Sequence, residues 1–222
     1  MTNKLGNIQT ALQQPEESVA PDLRGAQRFT LVLRVGKLIT GQGEFLCVLR
    51  DISGGGLKVR LFHELGISDP CELELSNGAN YRLEPVWQRD CHVGFRFADG
   101  WIDIHEMIEE VGQFPKRHIR LRLNSPHPVL LAGAGLTLPG HIHDISQHGT
   151  ALKLDGKLPV GVQLRLDAFE LPTLHGRVRW RSGGLHGLVF QQGFRLDELA
   201  RLVGQLQLGC DEANLRPALT RD

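Results

Sequence analysis

The stretch Asp-Ile-Ser-Gly-Gly-Gly at residues 51–56 recurs in the second half of the chain as Asp-Ile-Ser-Gln-His-Gly at residues 144–149. Both copies reduce to Asp-x-Ser-x-x-Gly, and both follow an apolar run typical of a strand. Asp and Ser side chains bond nearby backbone N–H groups, and Gly adopts backbone angles closed to other residues. The motif therefore predicts a tight turn between two strands.

The spacing of other residues shows that the whole region around this turn is repeated. Three further pairs are separated by the same step of 93 residues as Asp51 and Asp144, namely Trp87 and Trp180, Gly94 and Gly187, and Phe97 and Phe190. Arg28 and Arg120 are 92 residues apart, which indicates one inserted residue before the second turn. A fixed period is the signature of an internal repeat, so the chain contains two copies of one domain.

Length and charge agree with two ordinary domains in 222 residues. We expect a flexible arm over residues 1–20, domains over 21–112 and 113–208, and a polar tail over 209–222. The 25 basic and 25 acidic residues balance, so no whole-chain charge favours DNA or a membrane. Residues 113–208 carry 12 basic and 6 acidic residues, against 10 and 14 in residues 22–112. On bulk charge this favours the second domain as the anion binder, although such an imbalance is more often a solvated face.

Cysteine usage and hydropathy bear on the compartment. Cys47, Cys71, Cys91 and Cys210 form no C-x-x-C pair, which is typical of free thiols in a reducing compartment. The N-terminal residues lack a basic-then-apolar signal, and no stretch approaches the roughly 18 apolar residues that span a bilayer. We therefore expect a cytoplasmic protein.

Hydrophobic periodicity predicts the same elements in each copy. Alternation from Phe29 to Val35 indicates a half-buried strand, followed by strands over residues 45–49, 57–62, 71–75, 81–87 and 93–97. Helical spacing over residues 101–111 then predicts a closing helix that ends at Gly112. Six short strands favour a small closed barrel, which leaves no exposed sheet edge.

In the second copy we predict strands over residues 119–123, 129–131, 136–142, 151–154, 162–166, 174–180 and 188–190, with a hairpin turn over 133–135 and a helix over 197–206. The predicted fold is all-β, with two consecutive six-stranded barrels that are each closed by a C-terminal helix. Four aromatic residues in alternating strands are predicted to lie in the cores: Trp87, Phe97, Trp180 and Phe190.

A basic pair precedes the first strand of each copy. Arg24 and Arg28 stand four residues apart, and the second copy has Lys116, Arg117 and Arg120 at the same place. With the Asp-x-Ser-x-x-Gly turn after the second strand and Trp-x6-Gly-x2-Phe near the end of each copy, the chain resembles the PilZ family, bacterial receptors for cyclic di-GMP. The resemblance covers both domains, and its specificity comes from the ordered combination of motifs.

The resemblance implies two cyclic di-GMP sites, the first at Arg24, Arg28, Asp51, Ser53 and Gly56, and the second at Lys116, Arg117, Arg120, Asp144, Ser146 and Gly149. The chemistry agrees, because an arginine fork bonds phosphate oxygens or guanine O6 and N7 and stacks on bases. An Asp carboxylate accepts from guanine N–H groups, and a Ser hydroxyl or turn N–H can meet a phosphate. Lys116 keeps the charge and loses the fork, which its neighbour Arg117 could replace.

Three functions remain open at this point. The first is a signalling receptor, without cofactor or catalysis, that passes cyclic di-GMP level to a downstream protein through domain rearrangement, acting as a monomer or weak dimer. The second is an interaction module of the same fold that binds no nucleotide. The third is hydrolysis at a His-Asp metal site in the stretch His141-Ile142-His143-Asp144, which resembles a metal pair because alternate strand residues share a face. It is disfavoured because a metal site needs three or four ligands and the sequence marks no third one.

Overall fold

The computed structural model describes residues 29–109 and 118–209, and the first of these ranges forms a closed six-stranded barrel followed by a helix. Its strands pair antiparallel in the order β1-β2-β3-β6-β5-β4. The elements are β1 (Phe29–Thr40), β2 (Gly43–Ser53), β3 (Gly56–Leu61), β4 (Cys71–Leu75), β5 (Asn80–Arg89), β6 (His92–Phe97) and α1 (Ile104–Glu109).

The second range repeats this architecture, with the strand order β7-β8-β9-β12-β11-β10. The elements are β7 (Leu121–Gly133), β8 (Leu136–Ser146), β9 (Gly149–Leu154), β10 (Gln163–Ala168), β11 (Leu174–Ser182), β12 (Leu185–Phe190) and α2 (Leu196–Leu208). The predicted fold class is confirmed.

The first strand of each barrel contains a bulge. In β7, Arg122 pairs with Asp144 and His127 with Ile142, so residues 123–126 oppose a single residue of β8. The separate strands predicted over 119–123 and 129–131 are therefore one strand. In β1 only residues 31–33 lie between the paired positions Thr30 and Arg34. The residue inserted in the second copy lies in this bulge.

The turns and helices lie close to their predicted positions, except that the first helix begins later than predicted. Ala134 has φ 50° between β7 and β8, which confirms the predicted hairpin turn. The first helix begins at Ile104, three residues later than predicted, because the Asp103 carboxylate accepts a hydrogen bond from the His105 N–H at 2.8 Å. Its predicted end at Gly112 lies outside the described residues. No helix in the described part of the chain is long and apolar enough to cross a membrane.

Most of the residues that fill each barrel are the inward residues of its own strands. Phe97 and Phe190 are buried as predicted. The prediction for the two tryptophans is wrong, because Trp87 is 46% exposed and Trp180 is 40% exposed. A Cβ at Gly94 would lie 2.1 Å from Trp87 Nε1, and Gly187 stands equally close to the Trp180 ring, so both indoles lie over a glycine of the adjacent strand instead of filling the core.

Three of the four cysteines are described, and all three are buried free thiols. Burial raises the pKa of Cys71 to about 11 and that of Cys47 further, so neither thiol is readily ionised at neutral pH. Cys210 lies outside the described residues.

Helix α2 packs against both barrels. Its residues Leu199 and Val203 belong to the second core, and Leu46 of β2 in the first barrel joins the same cluster. A Cβ at Gly204 would lie 2.9 Å from His63 Cε1, so only a glycine lets the helix approach this buried ring. Burial lowers the pKa of His63, which keeps the imidazole neutral in the interface.

Hydrogen bonds join the bulge of β7 to the β1–β2 hairpin and to α2. Gln207 Nε2 donates to the Arg122 carbonyl at 2.7 Å, and Gln207 Oε1 accepts from the Asn124 N–H at 2.9 Å. Asn124 Nδ2 donates to the Gln42 carbonyl at 2.7 Å, and the Arg122 N–H donates to Glu44 Oε2 at 2.8 Å. The two barrels therefore share a specific interface.

Candidate ligand site

The Asp-x-Ser-x-x-Gly motif forms the same turn in both barrels, as predicted. Ser53 pairs with Gly56 at the end of β2, and Ser146 pairs with Gly149 at the end of β8. In each turn the serine hydroxyl donates to the carbonyl of the paired glycine, at 3.2 Å and 3.0 Å respectively.

The last glycine of each motif is required by the neighbouring strand. A Cβ at Gly56 would lie 2.2 Å from the Phe95 carbonyl oxygen, and a Cβ at Gly149 would lie 2.2 Å from the Leu188 carbonyl oxygen. Because the obstacle is backbone, no side-chain rotation relieves the clash. These glycines hold the turn against the sheet.

At the first turn, Asp51, Ser53 and Gly56 line one cavity of about 340 Å³ together with Trp87 and Trp101. Lys58 Nζ lies 3.7 Å from Asp51 Oδ2, and 38% of the Asp51 side chain remains exposed. The structure thus brings three of the five predicted first-site residues together. Arg24 and Arg28 lie outside the described residues, but β1 starts at the next position, Phe29, which pairs with Ile52.

At the second turn the predicted basic and acidic residues meet directly. Arg120 Nη1 donates to Asp144 Oδ1 at 2.7 Å, and the same oxygen accepts from the Ala151 N–H at 3.3 Å. His143 Nδ1 lies 3.3 Å from Asp144 Oδ2, and only 14% of the Asp144 side chain is exposed. Arg120, Asp144, Ser146 and Gly149 therefore surround one turn, whereas Lys116 and Arg117 lie outside the described residues.

Two histidines at the second site were missed by the sequence analysis. The rings of His118 and His148 contact edge to face, with their centroids 4.4 Å apart. His148 occupies a variable position of the turn motif, and His118 stands between Arg117 and Arg120. His118 also lines a cavity of about 240 Å³ with Gln147 and, from the first barrel, Arg34 and Asn77. The sequence signal that could have found them was position: His118 lies in the basic segment, and His148 lies in the turn motif.

A buried lysine connects the first barrel to the second site. Lys37 is 6% exposed and lies 3.2 Å from Glu44 Oε2 and 2.9 Å from Glu74 Oε2. Its ammonium also donates to the Arg120 carbonyl at 3.3 Å. A charged residue within the otherwise apolar part of β1 was the sequence signal for this contact, and the sequence analysis did not use it.

The candidate metal ligands do not assemble into a site within the described ranges. His143 faces the Asp144 carboxylate, and no group of three His, Cys, Asp or Glu residues that could hold a metal ion occurs among residues 29–109 and 118–209.

Comparison with known proteins identifies the repeat. The sequence model of the PilZ domain family matches residues 22–110 and again residues 115–207. Comparison with curated protein sequences finds no match. Among solved structures, the PlzA protein of Borreliella burgdorferi in complex with c-di-GMP is 13% identical, with 78% of this chain and 87% of that chain covered and a TM-score of 0.34.

Two further solved structures have low sequence identity and similar TM-scores. The inhibitor of motility MotI/DgrA of Bacillus subtilis is 14% identical, with 82% of this chain and 99% of that chain covered and a TM-score of 0.33. The PilZ domain of CeSA from a cellulose-synthesizing bacterium is 20% identical, with 41% of this chain and 96% of that chain covered and a TM-score of 0.29. Because the family model matches most of the chain in two successive copies, the chain belongs to the PilZ family and carries two PilZ domains in tandem.

Proposed function

We propose that this tandem PilZ protein is a receptor for cyclic di-GMP, with one site at each Asp-x-Ser-x-x-Gly turn. The observation that supports this most is the contact between Arg120 and Asp144, 2.7 Å apart although 24 residues separate them in sequence. Arg120, just before the first strand of the second barrel, thus meets the turn that follows the second strand. The proposed first site comprises Arg24, Arg28, Asp51, Ser53 and Gly56, and the proposed second site comprises Lys116, Arg117, Arg120, Asp144, Ser146 and Gly149.

The chemistry of these groups suits a cyclic dinucleotide better than it suits catalysis. The ligand presents two phosphates, which arginine and lysine bind, and two guanine edges, which a carboxylate recognises by accepting from N–H donors. The Asp51 side chain is partly exposed beside a 340 Å³ cavity, so its carboxylate is accessible to such an edge. We assign no catalytic residue and no cofactor.

We further infer that ligand binding at the second site alters the contact between the domains. The Arg120 guanidinium pairs with Asp144, while its carbonyl accepts a hydrogen bond from Lys37 of the first barrel. Two residues later, the Arg122 N–H donates to Glu44. A ligand that draws the guanidinium away from Asp144 therefore acts on a residue whose main chain is part of the interface, and a downstream protein would read the new arrangement.

Isothermal titration with cyclic di-GMP tests the receptor assignment. The intact chain is expected to bind the ligand at two sites. Asp51→Ala should abolish binding at the first site, and Asp144→Ala should abolish binding at the second. The exposed Asp69→Ala provides a matched control that should leave both sites intact. An absence of binding to the unmodified chain would exclude the receptor role and favour a PilZ-fold interaction module that binds no nucleotide.

Small-angle scattering with and without cyclic di-GMP tests the transmission step. We expect the curve to change at saturation, because binding selects an orientation of the two barrels that differs from the ligand-free one. Identical curves, with calorimetry showing that the second site is filled, would exclude domain rearrangement as the signal.

A further inference from the structure

Two exposed indoles stand beside the first motif turn. Trp101 is 61% exposed and Trp87 is 46% exposed, and both line the cavity that contains Asp51 and Ser53. Val86, which is 63% exposed, completes the apolar side of this cavity. Large apolar side chains gathered at one exposed place commonly mark a binding surface.

Trp101 is held against the turn itself. A Cβ at Gly54 would lie 2.3 Å from Trp101 Cε3, so part of the indole covers this glycine and any side chain at position 54 would displace it. The Ile102 N–H donates to the Gly54 carbonyl at 3.0 Å, and the Phe97 N–H donates to the Gly55 carbonyl at 3.3 Å. Backbone hydrogen bonds thus fix the segment that carries Trp101 relative to the motif.

The second barrel lacks this arrangement at the equivalent positions. Phe194, a step of 93 residues after Trp101, is buried and packs edge to face against Phe190 at 5.6 Å. Gln147 replaces Gly54, and its amide donates to the Phe194 carbonyl at 3.3 Å. The exposed indole on the turn is therefore a property of the first domain, outside the motifs shared by both copies.

We propose that Trp101 is a base-stacking wall of the first cyclic di-GMP site and contributes to its selectivity for a purine ligand, an inference that rests on the proposed receptor function. A guanine placed against the exposed part of the indole lies in the same cavity as the Asp51 carboxylate, which accepts from guanine N–H groups. Stacking on an aromatic side chain suits every base, and the neighbouring carboxylate adds the hydrogen bonds that favour guanine.

The polar groups of the cavity favour a nucleotide over an apolar protein segment. Asp51, Ser53 and Lys58 line it together with the indoles, so an apolar side chain inserted there would desolvate the Asp51–Lys58 pair without offering it a hydrogen bond. A cyclic dinucleotide satisfies both kinds of group, because its phosphates suit Lys58 and its bases suit the carboxylate and the indoles.

Calorimetry on full-length variants in an Asp144→Ala background, which silences the second site, tests the proposal. Trp101→Leu keeps apolar bulk and loses the aromatic face, so first-site affinity for cyclic di-GMP should fall about tenfold. Trp101→Phe should retain most of the affinity. Phe169→Leu, at a residue of the second domain that is 76% exposed, is the matched control and should change nothing.

Fluorescence supplies a readout that a merely structural role would not move. The chain has three tryptophans, so Trp87→Phe combined with Trp180→Phe leaves Trp101 as the only indole emitter. Its emission should fall as cyclic di-GMP fills the first site. Unquenched emission with the ligand bound, or unchanged affinity in Trp101→Leu, would overturn the stacking role while leaving the receptor function intact.

Two other outcomes separate the remaining explanations. If Trp101→Leu binds cyclic di-GMP normally but loses a protein partner, the patch is a docking surface and the stacking role is wrong. If the Asp144→Ala protein binds no cyclic di-GMP although it is folded by circular dichroism, the first site fails as a receptor site and the stacking role fails with it.

Discussion

The two barrels share a fold and a motif turn, but the residues around that turn differ. In the first barrel Asp51 has one described ion-pair neighbour, Lys58 at 3.7 Å, and the turn borders an open cavity. In the second barrel Asp144 accepts from Arg120 and from the Ala151 N–H, faces His143, and is mostly buried. Gly54 and Gly55 of the first turn are Gln147 and His148 in the second.

Both copies thus retain the turn motif, while the residues around it have diverged. The first turn faces solvent with two indoles beside it. The second turn is already held by side chains of its own domain, and through Lys37 it is attached to the first barrel. Under the proposed receptor function, a ligand at the second site would compete with these existing contacts, and we propose that this competition changes the interface.

The largest loss of stability is expected from substituting the last glycine of each motif, and it tests whether the two turns have the same construction. Gly56→Val and Gly149→Val should each lower the free energy of unfolding by about 3 kcal/mol, because the new Cβ would meet a backbone carbonyl 2.2 Å away. Gly66→Val, where a Cβ meets nothing within 4 Å, should change it by about 0.5 kcal/mol or less. Chemical denaturation measures all three, and a loss at only one motif glycine would show that the turns differ in construction.

The next prediction concerns the first site. By analogy with the Arg120–Asp144 pair of the second site, we expect Asp51 to have an arginine partner. Arg28 precedes Phe29 as Arg120 precedes Leu121, so its guanidinium should reach the Asp51 turn when ligand is present. Arg28→Ala should weaken first-site binding by about 1.5–3 kcal/mol, the value of a hydrogen bond to a charged group. Titration calorimetry should show the second site unchanged. Unaltered affinity at both sites would remove Arg28 from the binding residues.

A smaller effect would sharpen the role of the interface. Gln207→Ala removes two hydrogen bonds to β7 and a third, at 3.5 Å, to the Glu44 carbonyl of the first barrel, and should lower the free energy of unfolding by about 1–2 kcal/mol. Small-angle scattering should also show the barrels farther apart. Gln205→Ala on the same helix is the control, since the described residues offer its side chain no hydrogen bond. Equal behaviour of the two variants would mean that the hydrogen bonds of Gln207 do not help to hold the domains together.

The smallest effect addresses the departure at position 116. Lys116→Arg should tighten the second site by about 1 kcal/mol or less, because the charge is already present and only the planar fork is gained. Calorimetry in an Asp51→Ala background isolates this site. No gain from Lys116→Arg, combined with loss of binding in Arg117→Ala, would assign the role of the first arginine to Arg117.

The repeat, the six strands of the first barrel and the motif turn were predictable from the sequence, because they depend on local periodicity and on the backbone freedom of Gly56 and Gly149. The 93-residue step and the Asp-x-Ser-x-x-Gly copies sufficed for two barrels. The sequence also contained the bulge of β7, as a one-residue difference between the 92- and 93-residue spacings, but two short strands fitted the apolar pattern equally well.

Which outward faces of the barrels are covered depends on contacts between distant segments, and these are visible only in the folded chain. Leu46 points out of the first barrel yet is buried by α2, and strand alternation cannot indicate contact with a helix about 150 residues later. The exposure of Trp87 was not predictable from strand alternation either, because a large aromatic residue in a strand usually lies in the core. Its ring instead lies over Gly94 of the adjacent strand. The partners of Asp144 and Lys37 likewise depend on which strands meet, which is a property of the folded barrels and of the interface between them.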